Sequence, residues 1–143
     1  MTYALDSNIV SLLLRPNHNP DVVRRLGEAI QKGCTYVIPP LCYYEVKWNL
    51  IWKHAEVQTR LFNDLIDRSV SNFIISEAET VKSAEIRAYL EKRGTPIGED
   101  GNGDADIFIA AHCLINGYTL VTDNVKDFSK IDGLRFVNWK ERG

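Results

Sequence analysis

The sequence predicts a single α/β domain with a central parallel sheet and helices on both faces of that sheet. Short apolar segments alternate along the chain with segments whose apolar residues recur at helical spacing. Strands that are separated by helices pair in parallel and are covered on both faces, so a three-layer fold is expected. The length of 143 residues, with 45% hydrophobic and 25% charged residues, suits one domain over residues 1–143.

The predicted strands are short and apolar, and two of them end directly at an acidic side chain. The first strand ends at Asp6, and a later one ends at Asp123. Short runs of this kind, bounded by Gly, Pro or polar residues, are typical of buried strands. Strands are expected over residues 3–5, 34–38, 73–75, 118–122 and 134–137.

The predicted helices are marked by their ends as well as by their spacing. Pro20 and Asp21 suit the first turn of one helix, and Gly33 suits its end. Ser76 and Glu79 form a capping box, which predicts that another helix begins there. Helices are expected over residues 20–32, 40–52, 57–66, 77–93 and 104–116, with a loop over residues 98–103.

One face of the second predicted helix is aromatic. The side chains that share or border this face are Tyr43, Tyr44, Trp48, Ile51 and Trp52. Two interpretations of these residues are open: they pack into the core, or they form the surface of a homodimer.

Charge and residue spacing exclude several function classes. The formal net charge of −2 argues against a protein that coats nucleic acid through a basic surface, but it permits an enzyme that cuts nucleic acid. Cys34, Cys42 and Cys113 include no C-x-x-C pair, so we expect them to be reduced and buried. The three histidines lack the spacing of metal ligands.

The sequence also predicts a cytoplasmic protein without a membrane segment. No apolar run approaches the ~20 residues that a membrane span needs. Asp6 and Asn8 interrupt the region in which a signal peptide would be apolar.

The acidic side chains of interest fall at strand ends, at a helix start and inside the aromatic helix. Asp6 and Asp123 follow strands whose carboxyl ends should meet at one edge of a parallel sheet, where such folds bind ligands. Glu45 has apolar and aromatic neighbours, so it lies either at the wet edge of its helix or at a polar site. Asp106 shares a stripe with apolar residues of its helix and is expected to point inward.

Carboxylates that share a crevice repel one another, by roughly 4 kcal/mol for a pair ~4 Å apart at an effective dielectric near 20. A divalent cation makes such a cluster tolerable, and oxygen ligands without Cys or His favour Mg²⁺ or Mn²⁺. Metal-activated water is a nucleophile suited to phosphodiester hydrolysis. The acids therefore indicate a metal-dependent nuclease.

In these motifs the chain resembles the PIN-domain family, and within it the VapC-type toxins of toxin–antitoxin pairs. Four segments carry the resemblance, in family order and at family-like spacing: residues 5–9, 39–45, 106–112 and 120–128. The resemblance implies a PIN-like fold, Mg²⁺ or Mn²⁺ dependence and endonucleolytic cleavage of RNA. It also implies a homodimer and a cognate antitoxin protein whose tail covers the site.

The resemblance also implies roles for individual residues. Asp6, Glu45 and Asp106 match the three most regular acids of the family. The fourth acid matches Asp123, slightly preferred, or Asp127. Asn8 and Thr122 match residues that support the site by hydrogen bonds, and Asp104 adds a possible metal ligand two residues before the family position.

Four alternatives were weighed against this interpretation. Residues 100–111 imitate the start of an EF-hand loop, but Ala105 and Ala111 occupy the positions of its Gly and Glu. A receiver domain needs paired acids after the first strand, and a haloacid-dehalogenase phosphatase needs Asp-x-Asp where this chain has Asp6-Ser7-Asn8. A catalytically inactive PIN-like interaction module remains the main alternative.

Overall fold

A computed structural model describes residues 1–98 and 102–140 of the chain. Its elements in chain order are β1 (Thr2–Leu5), α1 (Ser7–Leu13), α2 (Pro20–Gln31), β2 (Thr35–Val37), α3 (Pro40–Lys53), α4 (Glu56–Asp67), α5 (Glu77–Lys92), α6 (Asp104–Asn116), β3 (Thr119–Val121), α7 (Val125–Phe128) and β4 (Phe136–Val137). The predicted α/β class is confirmed.

The sheet is parallel throughout, with strand order β2-β1-β3-β4. β1 lies between β2 and β3, with Ala4 opposite both Val37 and Leu120. The chain runs from β1 to β2 on one side and then returns to β3 on the other side of β1. The carboxyl ends of β1 and β3 therefore flank the point where the strand order reverses, which is the usual ligand crevice of such sheets.

Helices cover both faces of the sheet. All three residues of β3 are buried, although successive side chains of a strand point to opposite faces. A strand that is buried on both faces needs cover on both, as parallel sheets require. The largest fully buried side chains include Phe62 of α4 and Phe128 of α7, so helices from distant parts of the chain complete one core.

The helix signals in the sequence are largely confirmed. The capping box at α5 is present: the Ser76 hydroxyl accepts from the Glu79 N–H, and the Glu79 carboxylate accepts from the Ser76 N–H. α6 begins at Asp104. Because residues 104–111 are helical, they cannot form the second half of an EF-hand loop.

Two short helices were not predicted. α1 begins directly after Asp6, whose carboxylate caps it by accepting from the Ser7 N–H at 2.8 Å. α7 follows Asn124, whose side-chain oxygen accepts from the Asp127 N–H. Both helices start within four residues of a strand end, so the change from strand to helical spacing leaves little periodicity to detect.

The strand predicted over residues 73–75 is wrong. Phe73, Ile74 and Ile75 are irregular and exposed, Ile74 by 69%. The preceding residues already occupy the edge of β2, because the Val70 N–H donates to the Tyr36 carbonyl. The chain has therefore left this edge before it reaches Phe73.

The aromatic face of α3 is not part of the core. Tyr44, Trp48, Ile51 and Trp52 are all exposed, Trp52 by 75%, whereas the buried face of α3 carries Cys42, Val46 and Leu50. The interpretation that these side chains pack into the core is therefore wrong for the exposed ones, although Tyr43 does pack against Phe62 and Phe73.

The expectation that all three cysteines are reduced and buried is met only in part. Cys42 and Cys113 are free and buried as expected, but Cys34 is only half-buried because it precedes the edge strand β2.

The loop over residues 98–103 is described only at its ends, since residues 99–101 lie outside the described residues. No helix in the described ranges is long and apolar enough to cross a membrane.

Candidate metal centre

Asp6 lies at the centre of the site, buried at the carboxyl end of β1. Its N–H donates to the Val121 carbonyl at 3.0 Å, which extends the pairing of β1 with β3 to this residue. The Thr122 hydroxyl donates to Asp6 Oδ2 at 2.7 Å, and the Cys42 thiol lies 3.8 Å from Asp6 Oδ1. The predicted meeting of the two strand ends is confirmed, and Thr122 contacts the acid directly.

Glu45 reaches the site from α3, one helical turn after Cys42. Its Oε1 atom is buried and has no hydrogen-bond partner among the residues that the structure describes. A buried carboxylate oxygen without a partner is costly, because it has lost water and gained nothing in return. Of the two interpretations of Glu45, the structure therefore favours the polar site.

Asp106 enters the site from the first turn of α6, where it is half-buried. The position of this turn depends on a close approach just before it. A side chain on Gly103 would collide with the Ile97 backbone, and one on Gly98 would collide with Gly103. Glycine at these two positions lets the loop ends meet, so that α6 starts beside the sheet edge.

Burial and the charges of neighbouring acids raise the pKa values of all three carboxylates. Burial and then the charge of Asp6 raise the pKa of Glu45 above its usual value. Burial raises the pKa of Asp106 to about 6, and the charges of Asp6, Glu45 and Asp127 add to this effect. The pKa of Asp6 is also raised by burial, although the Thr122 and Ser7 hydrogen bonds oppose the change. The acids therefore share one electrostatic environment that disfavours their charged forms.

Asp123 and Asp127 lie on different sides of this group. Asp123 acts on Asp6, since its charge helps to raise the pKa of Asp6, and Asn8 Nδ2 lies 3.5 Å from its Oδ1. Asp127 acts instead on Asp106. Each also has a lysine partner: Lys140 lies 3.3 Å from Asp123, and Lys130 lies 3.7 Å from Asp127.

Asn124 is a site residue that the sequence did not reveal. Its Nδ2 atom lies 3.5 Å from Asp106 Oδ2 and 3.4 Å from Asp127 Oδ2, so the amide bridges two acids. Its backbone N–H donates to the Thr122 hydroxyl at 3.0 Å, which leaves the Thr122 proton directed at Asp6. The sequence feature that could have identified Asn124 is its position between Thr122 and the start of α7.

Asp104 is directed away from the other acids. It is exposed, and its Oδ1 atom accepts from Arg87 of α5 at 2.6 Å. This ion pair and the favourable effect of an acid at a helix start account for Asp104 without a metal.

The donor set fits a hard divalent cation. The acids present oxygen atoms, and their raised pKa values and the unpartnered Glu45 Oε1 are conditions that a cation would relieve. Within residues 1–98 and 102–140, no three His, Cys, Asp or Glu side chains converge enough to enclose an ion alone. Waters or substrate oxygens would complete the coordination, as they do for Mg²⁺ held by one or two carboxylates.

Comparison with known proteins identifies a family for this arrangement. The PIN domain model matches residues 3–134, which is most of the chain. The chain is similar to Ribonuclease VapC2 of Rickettsia felis, with 29% identity over 139 residues that cover 97% of this chain and 98% of that protein.

Solved structures show the same similarity over the whole fold. A crystal structure of VapBC2 from Rickettsia felis, bound to a promoter DNA fragment, matches with a TM-score of 0.82 and 28% identity, covering 97% of this chain and 99% of the other. A structure of VapBC-1 from nontypeable Haemophilus influenzae matches with a TM-score of 0.81 and 26% identity, covering 99% and 100%. The predicted resemblance is confirmed.

Proposed function

Because the chain belongs to the PIN domain family, we propose that it is a metal-dependent endoribonuclease and the toxin of a toxin–antitoxin pair. One observation carries the proposal: at the reversal point of the sheet, Asp6, Glu45 and Asp106 are buried or half-buried with raised pKa values, and none of them forms an ion pair among the described residues. A chain that buries acids in this way loses stability unless a cation joins them.

We propose that Asp6, Glu45 and Asp106 hold the cation, with Asp123 as the fourth acid. Mg²⁺ or Mn²⁺ suits a donor set of carboxylate oxygens. When bound, the cation activates water for attack on a phosphodiester and stabilises the charge that develops on the phosphate oxygens. Asp127 remains the alternative fourth acid.

The other residues orient these acids. The Thr122 hydroxyl fixes one oxygen of Asp6, and the Ser7 N–H fixes the other. Asn124 holds Asp106 and Asp127 at a constant separation, and Asn8 reaches Asp123. One of the acids also orients the attacking water as a base.

Cleavage of a pool of structured RNA by the purified chain tests the proposal. We expect cleavage with Mn²⁺, none with EDTA, and none from Asp6→Asn or Asp106→Asn with Mn²⁺. Asp64→Asn, which removes an exposed acid from α4, is the control for a general change of charge. Asp104→Asn should also cleave, because its partner is Arg87.

The outcomes separate the enzyme from the inactive interaction module. A folded chain that neither cuts RNA nor gains thermal stability from millimolar Mn²⁺ would support the module. Cleavage that survives in folded Asp6→Asn would contradict the site assignment, even if RNA remained the substrate.

We also propose an antitoxin protein as partner and a homodimer as the assembly. The solved relatives are VapBC2 and VapBC-1, which supports a second protein as the partner of this chain. Co-expression with the product of a neighbouring gene, followed by size-exclusion chromatography with light scattering, measures both. An isolated chain that runs as a monomer would contradict the homodimer.

A further inference from the structure

We propose that the cavity between α1 and α3 is a subsite for the nucleotide next to the cut phosphodiester, in which Trp48 stacks on the base and Arg15 and Lys53 hold a backbone phosphate. This inference rests on the proposed ribonuclease function and adds the way in which single-stranded RNA is held.

The cavity is connected to the acidic centre. It has a volume of about 350 Å³ and is lined by residues of α1, the turn after α1, α3 and α4. Glu45 belongs to this lining and is also one of the three central acids. A group in the cavity therefore lies beside the reacting phosphate, and the volume falls within the ~300–1,000 Å³ typical of small-molecule sites.

Trp48 supplies an aromatic surface at this place. It lies one helical turn after Glu45, so both side chains project from the same side of α3. Trp48 lines the cavity and is half exposed, and no ring in the described part of the chain is paired with it. An indole that is accessible in this way suits a base from single-stranded RNA, since every base has a face that stacks on aromatic rings.

Arg15 and Lys53 supply positive charge on the same cavity. Both line it, and neither forms an ion pair with a residue that the structure describes. Cations without a carboxylate partner are available to a phosphate, which is where RNA carries its charge. The lining therefore carries two cations and one acid, Glu45, although the chain as a whole has a net charge of −2.

Amide side chains complete the lining. Asn8, Asn49 and Gln58 face the cavity, and each amide can both donate and accept at the edge of a base. The remaining lining includes the apolar side chains of Leu14, Val46 and Leu50, so the cavity presents both polar and apolar surface, as the edge and the face of a base require. The combination of one ring, two cations and several amides favours a nucleotide.

RNA binding by fluorescence anisotropy tests the subsite directly. The probe is a labelled, mixed-sequence, single-stranded hexaribonucleotide, and every variant carries Asp6→Asn so that the RNA stays uncut. We expect Trp48→Ala to raise Kd roughly tenfold and Trp48→Phe to restore most of the affinity, because loss of one base stack has an effect of this size. Trp52→Ala is the matched control, since Trp52 is exposed on α3 but does not line the cavity.

The salt dependence of binding tests the cations. Lys53→Gln should reduce the slope of log Kobs against log salt by about 0.7, the value for one phosphate contact with a single strand. Lys92→Gln on α5 should leave the slope unchanged. Thermal unfolding of each variant checks that the fold is retained.

Equal effects of Trp48→Ala and Trp52→Ala on RNA affinity would overturn the subsite, as would an unchanged slope in Lys53→Gln. If Trp48→Ala leaves RNA binding intact and weakens the partner protein instead, the cavity belongs to that protein. Cleavage by the wild-type chain is measured separately with Mn²⁺. Cleavage without an effect of Trp48→Ala refutes only the subsite, whereas absence of both cleavage and RNA binding refutes the ribonuclease as well.

Discussion

Acidic side chains are buried at two places in this protein, and the two places differ in the partners that the chain provides for them. At the candidate metal centre, burial and neighbouring acids raise the pKa values of Asp6, Glu45 and Asp106, and Glu45 Oε1 has no partner among the described residues. Between α5 and α6, Glu79 is buried as well, but His112 contacts its Oε1 atom directly. The central acids therefore lack a basic partner among the described residues, whereas Glu79 has His112.

The environment of Glu79 is complete. The Ser76 hydroxyl donates to Glu79 Oε2 at 2.8 Å, and the Ser76 N–H donates to the same atom at 3.3 Å. Burial alone would raise the pKa of Glu79, but the hydrogen bonds from His112 and Ser76 outweigh burial and lower it. The carboxylate is thus charged and satisfied, and it joins two packed helices.

The comparison separates acids that support the fold from acids that are available for chemistry. Glu79 obtains its partners from the chain, so removing it should affect stability. The central acids obtain too few partners from the chain, so removing one should affect metal binding and catalysis. Burial is common to both groups, and only the presence of a partner distinguishes them.

The largest expected effect is on the rate of RNA cleavage. Asp106→Asn should lower kcat by about 10³-fold or more, because it removes part of the metal's charge stabilisation, which contributes several kcal/mol. Glu79→Gln should retain kcat within about threefold, since its carboxylate is outside the centre. Single-turnover cleavage with Mn²⁺ measures both, and a comparable loss in the two variants would remove the distinction.

Glu79→Gln should have little effect on kcat but a large effect on the stability of the fold. Glu79→Gln should lower the free energy of unfolding by about 3 kcal/mol, because the buried His112 ring and the Ser76 hydroxyl lose their carboxylate partner. Glu77→Gln, in the same first turn but exposed, should change it by less than about 0.5 kcal/mol. Urea unfolding of metal-free protein provides the measurement. A cost for Glu79→Gln no larger than that for Glu77→Gln would show that the pair is not structural.

The response to metal should sharpen the contrast. At a Mn²⁺ concentration near 100 times Kd, the wild-type chain should gain about 2.7 kcal/mol of stability by mass action. Glu79→Gln should show the same gain from a lower starting point, while Glu45→Gln should show little. Thermal unfolding across a Mn²⁺ titration measures these gains. An equal gain in all three would place the bound metal elsewhere.

The sequence carries more local signals for the acids of the candidate metal centre than for the Glu79 pair. Asp6 follows a strand and Asp106 lies in the first turn of a helix, and both positions are local signals. In a parallel sheet, strand ends and the helix starts beside them lie at one edge. The capping box revealed one partner of Glu79, three residues away. The other partner, His112, is 33 residues away and carries no local sign of its contact. Pairing between distant helices depends on packing that a single sequence does not display.

The wrong strand at residues 73–75 has a related cause. Apolar composition indicates which residues suit a strand, but not whether a sheet edge remains open for them. Here Val70 has already filled that edge. In the same way, spacing gave Trp48 and Trp52 a common face without showing whether a neighbouring element covers it.

The smallest expected effect is on the pH dependence of stability without metal, and its sign differs between the two groups. The folded-state pKa of Asp106, about 6, lies above the ordinary value of 3.8, so its charge destabilises the fold at neutral pH. That cost should disappear as the pH falls from about 6 towards 3.8. The pKa of Glu79 lies below 4.5, so its stabilisation is present above that pH and should be lost as the pH falls further.

Urea unfolding in EDTA between neutral and acid pH can separate these contributions. The stability of wild type relative to Asp106→Asn should rise as the pH falls through about 6, because protonation makes the two side chains alike in charge. The stability of wild type relative to Glu79→Gln should instead decline at the acid end. Curves that decline together would mean that the central acids have a counter-charge after all. If the two curves instead have opposite slopes in their two pH ranges, the presence of a partner, rather than burial, distinguishes the two kinds of acid in this protein.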